Sequence, residues 1–415
     1  MNTRFRLPTA LIVTASLLAT TTIAADWPRF RGPNGAGTST EKVSLQFSEK
    51  ELLWKTAIPG VGHSSPVIVG KNVYLQTAAK DGSTRSLLCV NAETGKITWS
   101  TNIPGHQGKT HKKNTTASGT PACDGERVFA GFWDGEKVSV LGFDLEGKIL
   151  WTTELGTYAS QHGFGHSPII YGGLVIVNFD QDGAARLVAL DAKTGKEKWS
   201  TKREAHRASY STPILLERDG KTELIVGTTT SIDGYEPDTG KVKWSYPIKW
   251  ESGEMPLRAV AGPVMAGDLV LLAMGDGGGS RYMVAVNPTG TKPAKVWDTK
   301  KDSTYVPCPL IHEGYVYWVN DSGLAICAEA KTGKVQWSER VFSKGVSASP
   351  ILVNGVILAI AEDGKAIAFK ASPKEIDRLP PSSVGEAVFA SPAVANGRLF
   401  IRGASYLFCY GSKAS

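Results

Sequence analysis

Six of the seven histidines fall in four short connections: GVGHSS (His63), GHQGKTHKKN (His106, His111), SQHGFGHS (His162, His166) and EAHRASYS (His206, followed by Arg207 and Tyr210). Neutral imidazoles from separate segments can converge on one metal ion without a local motif, so His63, His166 and His206 are candidate ligands or bases. Arg207, Tyr210 and Arg258 could bind an anionic group, with His162 and Tyr305 completing a polar, cationic site. Lys344 and Glu386 lie in later connections of the same kind. The plainer alternative is that connections collect polar residues satisfied by water and backbone, although loops on a rigid scaffold are also where binding evolves. HQGKTHKKN is basic enough to take an anionic ligand, or is simply a solvated face. The chain contains no paired-carboxylate, G-x-S-x-G or phosphate-loop motif, and Gly277 to Gly279 open no helix.

What positions these connections is a repeat. DAKTGKEKWST (191–201) is echoed by NAETGKITWST, EPDTGKVKWSY and EAKTGKVQWSE, and its tryptophans Trp54, Trp99, Trp151, Trp199, Trp244, Trp297 and Trp337 are spaced by 45, 52, 48, 45, 53 and 40 residues. That is a propeller period. In step run eight prolines, Pro66, Pro121, Pro168, Pro213, Pro263, Pro309, Pro350 and Pro392, most preceded by a small or polar residue and each followed by an apolar hairpin. A third strand then leads into the Thr-Gly-Lys turn and a fourth strand carries the Trp, which makes a four-stranded antiparallel blade. The expected fold is all-β, an eight-bladed propeller over residues 51–412. The last hairpin reaches its third strand and lacks a fourth, which ELLWKTAI (51–58) can supply, closing the ring. The seventh blade, near KEIDRLP, has lost its Trp. A large aromatic recurring at constant register is expected to dock one blade on the next.

Residues 1–25 read as a cleaved signal peptide, with Arg4 and Arg6 ahead of an apolar run and small residues at Ala24 and Ala25. The mature protein is then periplasmic or secreted, monomeric and without a transmembrane span, and no cysteine follows the cleavage region to carry lipid. Net charge is +7, and +5 once Arg4 and Arg6 leave, which favours anionic partners and, without a basic aromatic motif, not nucleic acid. Of five cysteines, Cys89, Cys327 and Cys409 hold equivalent repeat positions where Ala189 stands elsewhere, so they read as small buried strand residues; Cys123 and Cys308 are free thiols or one long-range bridge. DWPRFRGPNGAG (26–37), within an arm of residues 26–50, is expected to pack on the ring through Trp27 and Phe30.

ALDAKTGKEKW (189–199) fits A-x-D-x-x-T-G-K-x-x-W, the docking motif of the propellers typified by pyrroloquinoline quinone (PQQ) dehydrogenases, and the chain resembles that repeat family from about Glu51 to Ser412. The resemblance implies the fold. It does not by itself imply the cofactor: the dehydrogenases carry adjacent cysteines, long insertions and a calcium site, and this chain has no Cys-Cys pair and no C-x-x-C-H haem motif. In size it is more similar to the BamB-type propellers, non-catalytic scaffolds of outer-membrane protein assembly, though without their usual lipid-bearing cysteine. The resemblance thus implies an exported binding or scaffold protein whose partner is a protein or envelope component. The alternative is an enzyme at the channel mouth, either a PQQ- and calcium-dependent alcohol or sugar dehydrogenase or a metal- or His-assisted enzyme acting on anionic saccharides.

Overall fold

The repeated phrase folds as a side-chain-capped turn. Asp191 Oδ1 accepts from the amides of Lys193 and Thr194 and from the Thr194 hydroxyl, at 3.0, 2.9 and 3.0 Å, and Asn91 makes the same three bonds to Glu93 and Thr94. Such local bonds compete with strand continuation and reverse the chain. The next residue, Gly195 or Gly95, sits at φ 70° or 72°, where a side chain would be strained.

The computed structural model describes residues 26–289 and 292–412; the signal peptide expected at 1–25 lies outside them. Eight four-stranded antiparallel blades form the ring, and the only described helix is one 3₁₀ turn, Pro33–Gly35. In the third blade the strands run Ile169–Tyr171, Leu174–Phe179, Ala185–Asp191 and Glu197–Arg203 from the channel outward. Blade 8 joins the two ends of the sequence: Ala393–Ala395, Arg398–Arg402 and Tyr406–Gly411 are completed by Leu52–Ala57, with Trp54 opposite Cys409. No helix among the described residues is long and apolar enough to cross a membrane.

Across each ladder the Trp faces a small residue: Cys89, Gly142, Ala189, Gly234, Ala285, Cys327 or Cys409. A Cβ on Gly142 would lie 2.4 Å from the Trp151 ring and one on Gly234 2.3 Å from Trp244, so the indole lies flat on its partner and excludes anything larger. Its N–H then reaches the next blade. Trp54 donates to Ala92 O, Trp99 to Leu145 O, Trp151 to Ala192 O, Trp199 to Pro237 O, Trp297 to Ala330 O and Trp337 to Ser372 O, at 2.8–3.1 Å. Two residues on, Thr56, Thr101, Thr153 and Thr201 donate to the turn glycine of that same next blade. Trp244 departs from the pattern and bonds Glu223 of its own blade at 2.9 Å; the turn it would dock on is the stretched NPTGTKPAK copy. In blade 7, Pro380 and Pro381 split the outer strand into Asp377–Arg378 and Ser382–Ser383, because proline cannot donate to a ladder. Leu379 packs there in place of the missing Trp.

The residue before seven of the eight prolines also proves structural. Around the channel, the amide of one such residue bonds the side chain of its counterpart in the next blade: Gly262 to Cys308 Sγ, Cys308 to Ser349, Ser349 to Ser391, Ser391 to Ser65, Ser65 to Thr120 and Thr120 to Ser167. The ring passes through blade 8 without regard to where the sequence begins. Ser349→Ala leaves the buried Cys308 amide without its acceptor and should cost about 1–3 kcal/mol, measurable as a lowered urea midpoint that Ser349→Thr largely restores. Cys308 is a member of this ring, and all five cysteines are buried and free. The long-range Cys123–Cys308 bridge is therefore not formed.

Residues 26–50 lie against the channel on the face of the first-to-second strand turns. Trp27 is buried and exchanges backbone bonds with Ile68, and Phe30 packs against the apolar cluster of blades 5 and 6. Thr38–Ser39 adds a parallel inner strand to blade 7. Two further anchors, Arg29 and Arg31, were not anticipated.

Candidate functional site

The six histidines lie on the opposite face, where outer strands return to inner ones; His111 and His162 meet edge-on at 4.9 Å, while His63, His166 and His206 are held in separate surroundings. His166 is 1% exposed, its Nε2 2.8 Å from Ser209 O, boxed by Tyr158, Phe164 and Tyr210 at ring separations of 5.5, 5.0 and 5.3 Å. His63 stacks on Phe389 at 4.5 Å above the buried Arg402. His206 is exposed and held only through its backbone, to Thr229. The ligand set expected from His63, His166 and His206 is not assembled. Among the described residues no group of three or more His, Cys, Asp and Glu is placed to hold a metal ion.

What the face does assemble is an arginine–tyrosine cluster. The connection at 204–212 is zipped to the one at 249–262 by Tyr210 N to Ala259 O (2.8 Å) and by Arg207 Nη1 to Pro256 O (3.2 Å). Arg258 is fixed by a two-way backbone bridge to Gly275. A Cβ at Gly275 would fall 2.7 Å from Tyr305 Cβ, so that glycine makes room for Tyr305 beside it. Asp321 accepts from the Tyr305 and Val306 amides and pairs with Arg281, whose guanidinium lies 5.2 Å over the Tyr305 ring. Ser160 and Tyr210 share a 2.6 Å hydrogen bond, and Gln161 accepts from Arg258 Nη2 at 3.0 Å.

The cluster is rich in donors and poor in counter-charge. Arg258 is 3% exposed and its Nε is buried without a partner; among the described residues neither it nor Arg207 forms an ion pair. Burial, then the nearby Arg258, lowers Arg207 from the usual guanidinium value. The same pair of causes holds His162 at about 4, so at neutral pH it is an uncharged neighbour. Burial raises the Tyr210 hydroxyl to about 12 and raises Tyr305, leaving both protonated, with Tyr210 donating to Gly163 O at 3.1 Å. Such a set can bind an anion through charge-assisted hydrogen bonds.

The basic segment 106–114 is not a free strap. His106 N bonds Asp134 O at 2.6 Å, His111 N bonds His162 O at 3.1 Å, Asn114 reaches the His162 and Phe164 carbonyls, and Lys113 pairs with Glu362 at 2.6 Å. Lys113 leaves blade 1 and Glu362 belongs to blade 7, so the segment overhangs the mouth. Glu386 caps the Ser405 and Tyr406 amides, and Lys344 is exposed; neither belongs to the cluster. Two cavities, about 280 Å³ between blades 1 and 2 and about 420 Å³ beside the arm, include none of the cluster residues.

The family profile described as "Outer membrane protein assembly factor BamB" matches residues 36–157, 89–339 and 295–375. Tetrathionate hydrolase of Acidithiobacillus ferrooxidans is 27% identical over 58% of this chain and 46% of its own length. Outer membrane protein assembly factor BamB of Moranella endobia is 24% identical over 60% and 64%. The chain thus spans about half to two thirds of the relatives it matches. Among solved structures, BamB from Moraxella catarrhalis superposes with a TM-score of 0.64 at 16% identity, covering 86% of this chain and 99% of that one. Quinohemoprotein alcohol dehydrogenase from Comamonas testosteroni gives 0.66 at 14%, covering 94% and 81%; at these identities the likeness is one of fold. With a matching profile over most of its length and the docked, ring-closed blades described above, the chain belongs to the PQQ-repeat propeller family of outer membrane protein assembly factor BamB.

Proposed function

We propose that this chain is an exported binding protein, periplasmic or secreted, that engages a protein or other envelope component by an anionic group docked on the Arg207–Arg258–Tyr210–Tyr305 cluster. The observation that carries it is Arg258: a buried guanidinium with an unpartnered Nε and no carboxylate, at the edge of a face whose neighbours Gln161 and His206 are exposed. A fixed cation without a counter-charge favours an incoming anion. The surroundings suit a group carried by a macromolecule, since small-molecule sites are usually enclosed and largely apolar.

Photo-crosslinkers placed at Gln161 and His206 should capture a partner in intact cells, whereas one at Val335 on the outer rim should not. Arg207→Glu should weaken capture about tenfold, the effect of losing roughly 1.4 kcal/mol, while the protein stays folded despite losing the bond to Pro256. Equal capture from Val335 and from Gln161 and His206, insensitive to Arg207→Glu, would remove this reading. A second reading, a His-assisted enzyme on an anionic substrate, is favoured by His162, an uncharged base beside both guanidiniums, and by similarity to a hydrolase whose named substrate is an anion. His162→Ala separates the two: turnover of an anionic substrate is lost under the second reading, and capture survives under the first.

A further inference from the structure

The arm carries two cations into the ring, and among the described residues neither forms a salt bridge with an acid. Arg29 and Arg31 are 7% and 2% exposed. Arg29 Nη2 donates to Pro213 O of blade 4 at 2.7 Å. Arg31 Nη2 donates to Pro309 O of blade 6 and to Ala36 O, each at 2.9 Å, and Nε to Gly35 O at 3.1 Å. Every one of these partners is an uncharged carbonyl. Among the described residues, Arg29 Nε and Arg31 Nη1 are buried without a hydrogen-bond partner. Burial, and then the charge of Arg31, holds Arg29 at about 9.

The surrounding chain is shaped to this pair. Gly37 N returns to Arg31 O at 2.9 Å and Gly32 N to Arg29 O at 2.9 Å, winding GPNGAG around the guanidiniums. Gly35 and Gly37 stand at φ 67° and 71°. A Cβ there would lie 2.9 Å from Arg29 Nη2 and 2.5 Å from Arg31 Nη2. Asn34 ties the loop to blade 4 by two bonds with Leu215, and Gly37 O accepts from Leu352 N of blade 7. A buried charge left without a counter-charge is strongly unfavourable, and the charge of Arg31 acts on Arg29 as well. Nothing in this arrangement draws on the opposite face.

We propose that Arg29 and Arg31 form an internal site for a small inorganic anion, a halide or a compact oxyanion, bound by Arg29 Nε and Arg31 Nη1, and that the bound ion locks the arm into the ring. The anion supplies the charge the two carbonyl-bonded guanidiniums lack, and only the free N–H of each is needed to hold it.

Bromide is the probe. Crystals of the mature chain soaked in bromide should show an anomalous peak in contact with both guanidiniums. In solution, bromide or sulfate should raise the melting temperature saturably by about 3 °C over gluconate at matched ionic strength. Arg31→Met should lose both signals. Should that variant fail to fold, Arg29→Lys decides, since it keeps the charge and removes Nε. It should lose the saturable shift while binding at the opposite face is untouched. No anomalous peak at the pair, or an anion response identical in wild type and Arg29→Lys, would overturn the proposal.

Discussion

Trp151→Ala should lower the unfolding free energy by about 3–5 kcal/mol, the range for emptying a buried aromatic site. The indole is 9% exposed. It lies over Gly142 of its own third strand and against Gly195 of the next blade's turn, where added Cβ atoms would fall 2.4 and 2.5 Å from the ring. Phe129 stacks on it at 5.9 Å, and its N–H holds Ala192 O of blade 3 at 3.1 Å. Its apolar cluster runs from Phe129 and Val138 in blade 2 to Val188 and Leu190 in blade 3, so truncation opens a void between blades as well as within one. Trp337→Ala should cost less, because that residue is only partly buried. Trp244→Ala tests the mechanism, since its N–H is spent on Glu223 of its own blade and its loss frees no carbonyl next door. Urea unfolding followed by far-UV circular dichroism gives the order, Trp151 largest. Three equal, small effects would mean that the tryptophans do not couple blades.

The ring was legible in the sequence because its determinants are local and repeated. Asp191 caps a turn with residues two and three positions on, Gly195 follows at a conformation other residues resist, and the Trp comes four residues later. Each of these spacings is set by the geometry of a single hairpin, so it recurs wherever the hairpin does. The closure through Leu52–Ala57 was legible by elimination, since a fourth strand was missing at one end and spare at the other. The role of the residue before proline was half legible. Its small, polar type was visible, but the bonds it makes, such as Ser391 N to Ser65 Oγ across 326 positions, exist only once the ring is closed.

The site was less legible for the same physical reason. His63, His166 and His206 look alike in sequence, and what separates them is depth: one stacks at the surface, one is enclosed by three aromatic rings, one is solvated. The signal that marks Arg258 out, a buried guanidinium that forms no ion pair among the described residues, depends on what folding brings near it and has no sequence trace. Arg29 and Arg31 leave equally little trace, because arginine in an arm has the composition of a solvated face. The neighbouring glycines were the available clue, since Gly35 and Gly37 in DWPRFRGPNGAG ask what they make room for.

Acid should unfold this protein through His166 well before its channel-facing charges matter. The imidazole is enclosed among Tyr158, Phe164 and Tyr210, with Nε2 on the Ser209 carbonyl. Burial holds it at about 4 rather than 6.5, although the Ser209 and Asp180 carbonyls favour the charged form. The unfolded chain therefore takes up a proton near pH 6.5 that the folded one refuses until about 4. Stability is fully present above 6.5 and falls as pH drops through that window. For this one group the loss approaches about 3 kcal/mol, at 1.36 kcal/mol per pH unit. His63 and His162, also held at about 4 by burial, add slope of the same sign, less for the more exposed His162. His166→Gln can keep a bond to Ser209 without a titrating group. It should be less stable than wild type at pH 7.5, and the gap should narrow or close by pH 4.5 as measured by urea midpoints on one buffer series. Carboxylates that protonate in the same range act on both proteins alike, so the difference between the curves isolates the imidazole. Parallel curves would show that His166 takes up its proton equally in the folded and unfolded chain, and the enclosed box would then have to be open to solvent.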